Sequence, residues 1–252
     1  MLTRIMVMVS MLSASAAAMG DLVNHTDVSG ANYDFTNISE FSGTDTIGPD
    51  GLYRQPSVSV NSLVFTPQGF TALGSGGTGD ITDVQLNFDV TRKANSTISA
   101  FYFRESGDYN MFGGTFNTFV RVTCGINITV LETTAGPVSV PALSGTLWFT
   151  PVGSVSVPTG TEYHQTVDPS SNVWEGFGAF DISAWLAMNS IPGNATKINI
   201  ALDNTLVAVT ESGSLAFIAK KTFGGVVIDV VPAPSSLALL GLGGLVATRR
   251  RR

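Results

Sequence analysis

Cysteine is almost missing from this chain. Cys124 stands alone in 252 residues, so no intrachain disulfide and no two-cysteine metal site can form. Histidine is nearly as scarce, with only His25 and His164. Charged residues make up 13%, and long segments with a 3.6-residue hydrophobic period are few, which speaks against a helical or α/β domain. No segment recurs at a fixed period, as a right-handed β-helix would require. Basic residues are sparse where they would matter for nucleic acid. Between residues 21 and 230, eight basic residues stand against 19 acidic ones, a net charge of −11. Such a surface repels phosphate backbones and excludes nucleic acid as a partner. There is no G-x-S-x-G elbow and no P-loop. Gly74 to Gly79 fits G-x-G-x-x-G by letter, but the alternation from Asp80 to Val84 begins a strand where a dinucleotide site needs a helix. With no catalytic motif, the expectation is that the protein is not an enzyme.

What is present is strand pattern. Runs with period-two alternation or aromatic and β-branched enrichment occur at Tyr33 to Phe41, Ser57 to Thr66, Ile81 to Arg92, Thr97 to Arg104, Phe119 to Leu131, Gly145 to Thr150 and Phe177 to Ile182. Lys197 to Leu202 and Thr205 to Thr210 read as a hairpin around Asp203-Asn204, a two-residue turn signal. Leu215 to Lys220 and Val226 to Val231 read as a second pair. About ten strands at such spacing predict an all-β fold, an antiparallel β-sandwich of jelly-roll-like type. Cys124 shares a phase with Val120, Val122, Ile126, Ile128 and Val130 and is expected to be a buried small hydrophobe. One short helix is expected at Ser183 to Asn189, started by Asp181 or Ser183. It would plug an end of the sandwich with Trp185, Leu186 and Met188.

The two ends are of a different kind. Met1 to Gly20 has Arg4 as a positive start, an apolar run from Ile5 to Leu12 and small residues at Ala14, Ala16, Ala17 and Ala18, the layout of a secretory signal peptide. The expected organisation is therefore a signal peptide at 1–20, a body at 21–230 and a tail at 231–252. In the tail, Val231, Pro232, Ala233 and Pro234 form a proline hinge. The apolar residues Leu237, Leu239, Leu240, Leu242, Leu245 and Val246 follow as a membrane anchor. Arg249, Arg250, Arg251 and Arg252 act as a positive stop that marks the cytoplasmic side. A helix from Ser235 to Thr248 would rise about 21 Å at 1.5 Å per residue, short of the roughly 30 Å hydrocarbon core. It spans with local thinning of the bilayer or with snorkelling arginines.

This order of proline pair, short apolar helix and terminal arginine cluster resembles the PEP-CTERM sorting signal. The match is to a Pro-Ala-Pro variant, with Ala233 standing where the family usually has Glu. The resemblance implies export to the outer face of the cytoplasmic membrane. An integral-membrane sorting enzyme, exosortase, then directs the protein to the cell surface or extracellular matrix. It assigns no activity to the body.

Within the body, His164 shares a phase with Glu162 and has Asp168 four residues on, a setting for a general base or metal ligand if a substrate could reach it. His25 lies near the mature N-terminus, where chains fray. Asp45, Asp50, Asp80, Asp83, Asp168 and Glu175 sit in or beside expected loops and leave room for structural Ca²⁺, though no EF-hand spacing is present and no cofactor is required. Tyr102, Tyr109, Trp148, Tyr163, Trp174 and Trp185 are rings that could offer a sugar-stacking face. Trp174 reads as a loop residue and is the candidate glycan contact. The functional expectation is a structural or adhesive surface protein in contact with exopolysaccharide. The alternatives are a carbohydrate-binding sandwich and, third, a polysaccharide hydrolase. An exposed row of two or three coplanar aromatics would select the carbohydrate-binding reading.

Overall fold

The computed structural model describes residues 20–221 and 225–232; the expected signal peptide, apart from Gly20, and the tail from residue 233 onward lie outside them. Eighteen strands and one helix follow in order. The first strands are β1 (Asp21–Asn24), β2 (Val28–Ser29), β3 (Tyr33–Ser42), β4 (Ser57–Ser59), β5 (Ser62–Phe65) and β6 (Thr71–Ser75). Then come β7 (Gly79–Arg92), β8 (Ile98–Phe112), β9 (Phe119–Thr133), β10 (Gly136–Pro137), β11 (Leu143–Thr146) and β12 (Trp148–Thr150). The last are β13 (Val155–Val157), β14 (Gly160–His164), β15 (Ser171–Asp181), α1 (Ile182–Met188), β16 (Ala195–Val209), β17 (Leu215–Lys220) and β18 (Val226–Pro232).

The pairings are all antiparallel and sort into two layers of a β-sandwich. The first runs from β1 and β2, which share one edge of β3, through β7 and β16 to β9. The far edge of β9 takes β14, β11 and β10 in turn, and β13 lies beyond β14. The second layer is built on β8. One edge of β8 carries β17 and β18 end to end, with β6 and β5 beyond them and β4 outside β5. Its other edge carries β15 and then β12. A single pair, Ala195 with Ile98, links the layers at one end.

Alternation places one phase of every long strand between the layers. Val84, Leu86, Phe88 and Val90 of β7 face Phe101 and Phe103 of β8 in one continuous buried cluster. Val120, Val122, Cys124, Ile126, Ile128 and Val130 all lie in it, as their spacing requires. Each such side chain contributes about 1.5–3 kcal/mol by leaving water. The helix starts as expected: Asp181 caps it, its carboxylate accepting from Ala184 N at 2.8 Å. Trp185 and Leu186 pack inward, but Met188 is 77% exposed and plugs nothing.

Four readings of the strands are corrected. Ser57 to Thr66 is a hairpin, β4 and β5, turning at Val60 with positive φ. Asp203-Asn204 is not a turn but the middle of the unbroken strand β16. Its Asn204 is held inside the core by Tyr53 and Lys220, so the polar pair has no need of solvent. β17 and β18 do not pair with each other, since both pair with β8. Finally, β8 does not stop at Arg104 but runs on through Gly107 to Phe112.

Gly107 allows that continuation. A Cβ there would lie 2.0 Å from the Ala219 carbonyl oxygen and 2.3 Å from the Trp174 ring. Gly107→Ala is therefore expected to destabilise by at least the roughly 1–3 kcal/mol typical of overpacking. A lowered urea midpoint at unchanged slope would register it.

Candidate functional site

The outer face of the second layer carries the candidate site. In Leu147-Trp148-Phe149, the outer two side chains are buried and the middle one is 82% exposed. Pairing places Trp148 beside Phe177 of β15, and Phe177 beside Arg104 of β8 and then Val227 of β18, in one cross-strand row. Tyr102 sits one outward step along β8. Its ring is stacked near-parallel to that of Phe177, with centroids 6.3 Å apart and planes 18° from one another. Phe177 and Tyr102 are 47% and 43% exposed. The three rings thus form an exposed apolar strip on the sheet, with Arg104 and Glu175 as polar neighbours on the same face.

Beside the strip lies a groove of about 380 Å³. It forms because β12 ends its pairing at Trp148, while the chain from Gly145 to Leu147 crosses from the first layer to the second. The edge of β15 from Gly178 to Phe180 is left open there, and Gly145, Thr146, Trp148 and Phe177 close the sides. Gly145 is required by the crossing, since a Cβ would meet the Phe180 ring at 2.5 Å. A ligand lying on the strip would meet ring faces and a groove of ordinary small-ligand size, about 300–1,000 Å³.

Trp174 is not part of this face, which corrects its reading as an exposed loop residue and glycan contact. It lies in β15, is 0% exposed and packs edge-on against Phe149 at 5.9 Å. The strand begins at Ser171, earlier than its polar residues suggest, because β8 continues opposite it. Tyr109 and Tyr163 are buried and stacked on one another at 4.4 Å. The signal that would have found Trp148 is the alternation itself: between two inward hydrophobes, the middle ring must face solvent.

Both histidines are occupied. His164 is 4% exposed, with Nδ1 2.6 Å from the Phe116 carbonyl and Nε2 3.0 Å from Glu162. Its ring is stacked on Phe116 at 3.9 Å. Glu162 also accepts from Arg121 Nε at 2.7 Å, so the group clamps β14 and β9 to the Phe116 turn. His25 does not fray. Its Nε2 is 2.7 Å from Glu40, whose carboxylate also accepts from Leu52 N and Tyr53 N.

Three of the acids expected in or beside loops stand in strands, Asp80 and Asp83 in β7 and Glu175 in β15. Asp80 accepts from Leu73 N of β6 and Asp83 from Thr205 Oγ1 of β16, while Asp168, past the end of β14, accepts from Ser154 Oγ and His164 N. Among the described residues, no group of three or more His, Cys, Asp or Glu gathers to hold a metal ion.

Of the expected sorting residues, Val231 and Pro232 are not a free hinge. They are the end of β18, paired with Ala100 and Ile98, the proline taking a strand terminus at a register shift. Ala233, Pro234, the apolar anchor residues and Arg249 to Arg252 lie outside the described residues. Among the described residues, no helix is long and apolar enough to cross a membrane.

Solved structures with some likeness include TmCBM61 in complex with beta-1,4-galactotriose, at 8% identity over 86% of this chain and 90% of that one, TM-score 0.22. Endoglucanase 3 of Trichoderma harzianum, from family GH12, aligns at 11% identity over 87% and 100%, TM-score 0.24. CBM28, a carbohydrate-binding module specific for non-crystalline cellulose, aligns at 9% over 71% and 79%, TM-score 0.23. Likeness this slight carries no argument about ligand. No curated protein matches the sequence. Residues 230–252 match the family model of the PEP-CTERM protein-sorting motif, and the chain thus carries the signal of an exported, membrane-associated surface protein sorted by exosortase.

Proposed function

We propose that the body is an adhesive, carbohydrate-binding module of jelly-roll-like build that holds extracellular polysaccharide at the cell surface and is not an enzyme. The observation that carries this reading is the strip of Trp148, Phe177 and Tyr102, three exposed rings on one sheet face beside a groove. Sugar rings present apolar faces and polar rims. They lie flat on such a strip while Arg104 and Glu175 meet their hydroxyls. Retention on a panel of insoluble and gel-immobilised polysaccharides, with the wild type and Trp148→Ala compared, tests it. Loss of retention in the variant with an unchanged fold supports the strip as the site, and equal retention rejects it.

The same proposal includes the ends of the chain. Residues 1–20 are read as a cleaved signal peptide. The tail holds the protein by a short membrane helix until exosortase acts, with the arginines inside. Deleting Arg249 to Arg252 is expected to release the protein or abolish its sorting, as fractionation of cells into membrane, medium and matrix would reveal. Unchanged membrane retention of the truncated protein would count against the tail's proposed part.

A further inference from the structure

A second chemical cluster lies between the layers, apart from the aromatic strip. Lys220 closes β17 and Glu105 sits in mid-β8, both in the second layer; Asn204 sits in mid-β16 of the first. The Lys220 amine donates to Glu105 Oε2 and, at 2.8 Å, to Asn204 Oδ1. The side chains of Lys220 and Glu105 are 0% and 1% exposed, and Asn204 is fully buried. Tyr53 Oη accepts from Asn204 Nδ2 at 2.5 Å, which turns the amide so that its carbonyl faces Lys220. Lys220 Nζ lies 5.2 Å from the ring centre of Phe70 and 5.4 Å from that of Trp174.

Stability alone does not account for this cluster. A buried ion pair seldom improves on hydrophobic residues of the same volume, and Glu105 Oε1 has no partner. What the site does contain is the full set for acyl transfer. An amine touches a primary amide, and a carboxyl touches the amine, in a dry site walled by aromatic rings.

We infer that Lys220 and Asn204 join in an intramolecular amide bond across the two layers, with Glu105 as the catalytic acid–base. Lys220 first passes a proton to Glu105, leaving a neutral amine beside a neutral acid. The Nζ lone pair attacks Asn204 Cγ, forming the new C–N bond, as Glu105 protonates the carbonyl oxygen. Glu105 then moves a proton from Nζ to Nδ2. The Cγ–Nδ2 bond breaks, ammonia leaves, and the carbonyl re-forms by returning its proton to Glu105. An amine and a primary amide become a secondary amide and ammonia, with no oxidant or cofactor needed. The product is an uncharged site. Burial already holds the Glu105 carboxyl above its ordinary value, which suits a group that must carry the proton.

The test is intact mass spectrometry of the full chain after purification. The wild type is expected to be lighter by one ammonia than the sequence between its observed termini, and Glu105→Gln to have the full mass. Trypsin should fail to cut after Lys220. Cleavage after Glu211, which lies between Asn204 and Lys220, should leave the flanking pieces joined. A wild type at full mass, or one whose pieces separate after that cleavage, overturns the inference. Either result is read on the wild-type protein and does not depend on any variant folding.

Discussion

Trp148→Ala should weaken polysaccharide retention at least thirtyfold, a loss of about 2 kcal/mol or more, the size of a binding hot spot. The ring is 82% exposed, so its removal takes nothing from the core. Leu147 and Phe149, the residues on either side, remain buried and hold β12 in place. The melting curve of the variant should therefore overlay that of the wild type while its mobility in polysaccharide gels loses its retardation. Phe177→Ala should weaken binding by less, because Phe177 is half covered by its neighbours. Trp174→Ala offers the contrast. It empties a fully buried site and should cost about 3–5 kcal/mol of stability, so any loss of binding it produces reports unfolding. Equal retardation of Trp148→Ala and the wild type would remove the strip from consideration.

Lys220→Met should be the most destabilising conservative change in the core. Where Lys220 and Asn204 are not joined, it leaves the Glu105 carboxyl buried with no cation, an arrangement that costs roughly 3–5 kcal/mol, and in the joined protein it removes the cross-link as well. Adding Glu105→Leu should recover the greater part, since the double variant replaces the pair with apolar volume. Chemical denaturation at several pH values would separate charge from packing. Burial raises the folded-state value of Glu105 above its ordinary 4.5, and Lys220 pulls in the opposite direction. Without Lys220 the raised value rises further. The native state then keeps a proton that the unfolded chain has released. The contribution of that carboxyl is complete below 4.5 and is lost as pH rises through the folded-state value. Compared with wild-type chain in which Lys220 and Asn204 are still unjoined, Lys220→Met should accordingly be nearest in acid and fall away toward neutral pH. A flat difference across that range would show that packing, not the carboxyl, carries the loss.

Where the chain alternates cleanly, its fold can be read directly. β7, β9 and β17 stand where their period-two runs place them, and the Asp181 cap puts the helix one residue from its expected start. The misreadings share one cause: polar or small residues whose partners lie on distant strands. Asn204 passes for a turn residue until Tyr53, 151 positions away, supplies its acceptor. Gly107 looks like a strand end until the Trp174 ring is seen to fill the space of its missing side chain. Ser171 and Asn172 look like loop until β8 is found opposite them. The candidate face was half legible. Trp148 and Tyr102 stood among the candidate rings, but their adjacency depends on strand order, which no local pattern encodes.

The placement of β18 has a mechanical consequence. The last strand before the tail is not at a sheet margin; it runs between β5 and β8, paired with β5 from Val226 to Asp229 and with β8 from Val226 to Pro232. On the proposed function, a polymer gripped at Tyr102 would tug on β8, while a membrane tether would tug on the end of β18. Tension between matrix and membrane would then act along the shared ladder as shear, so its rungs would have to fail together instead of peeling one at a time. The body would be strung into the line of force through its interior, which suits a link that has to hold.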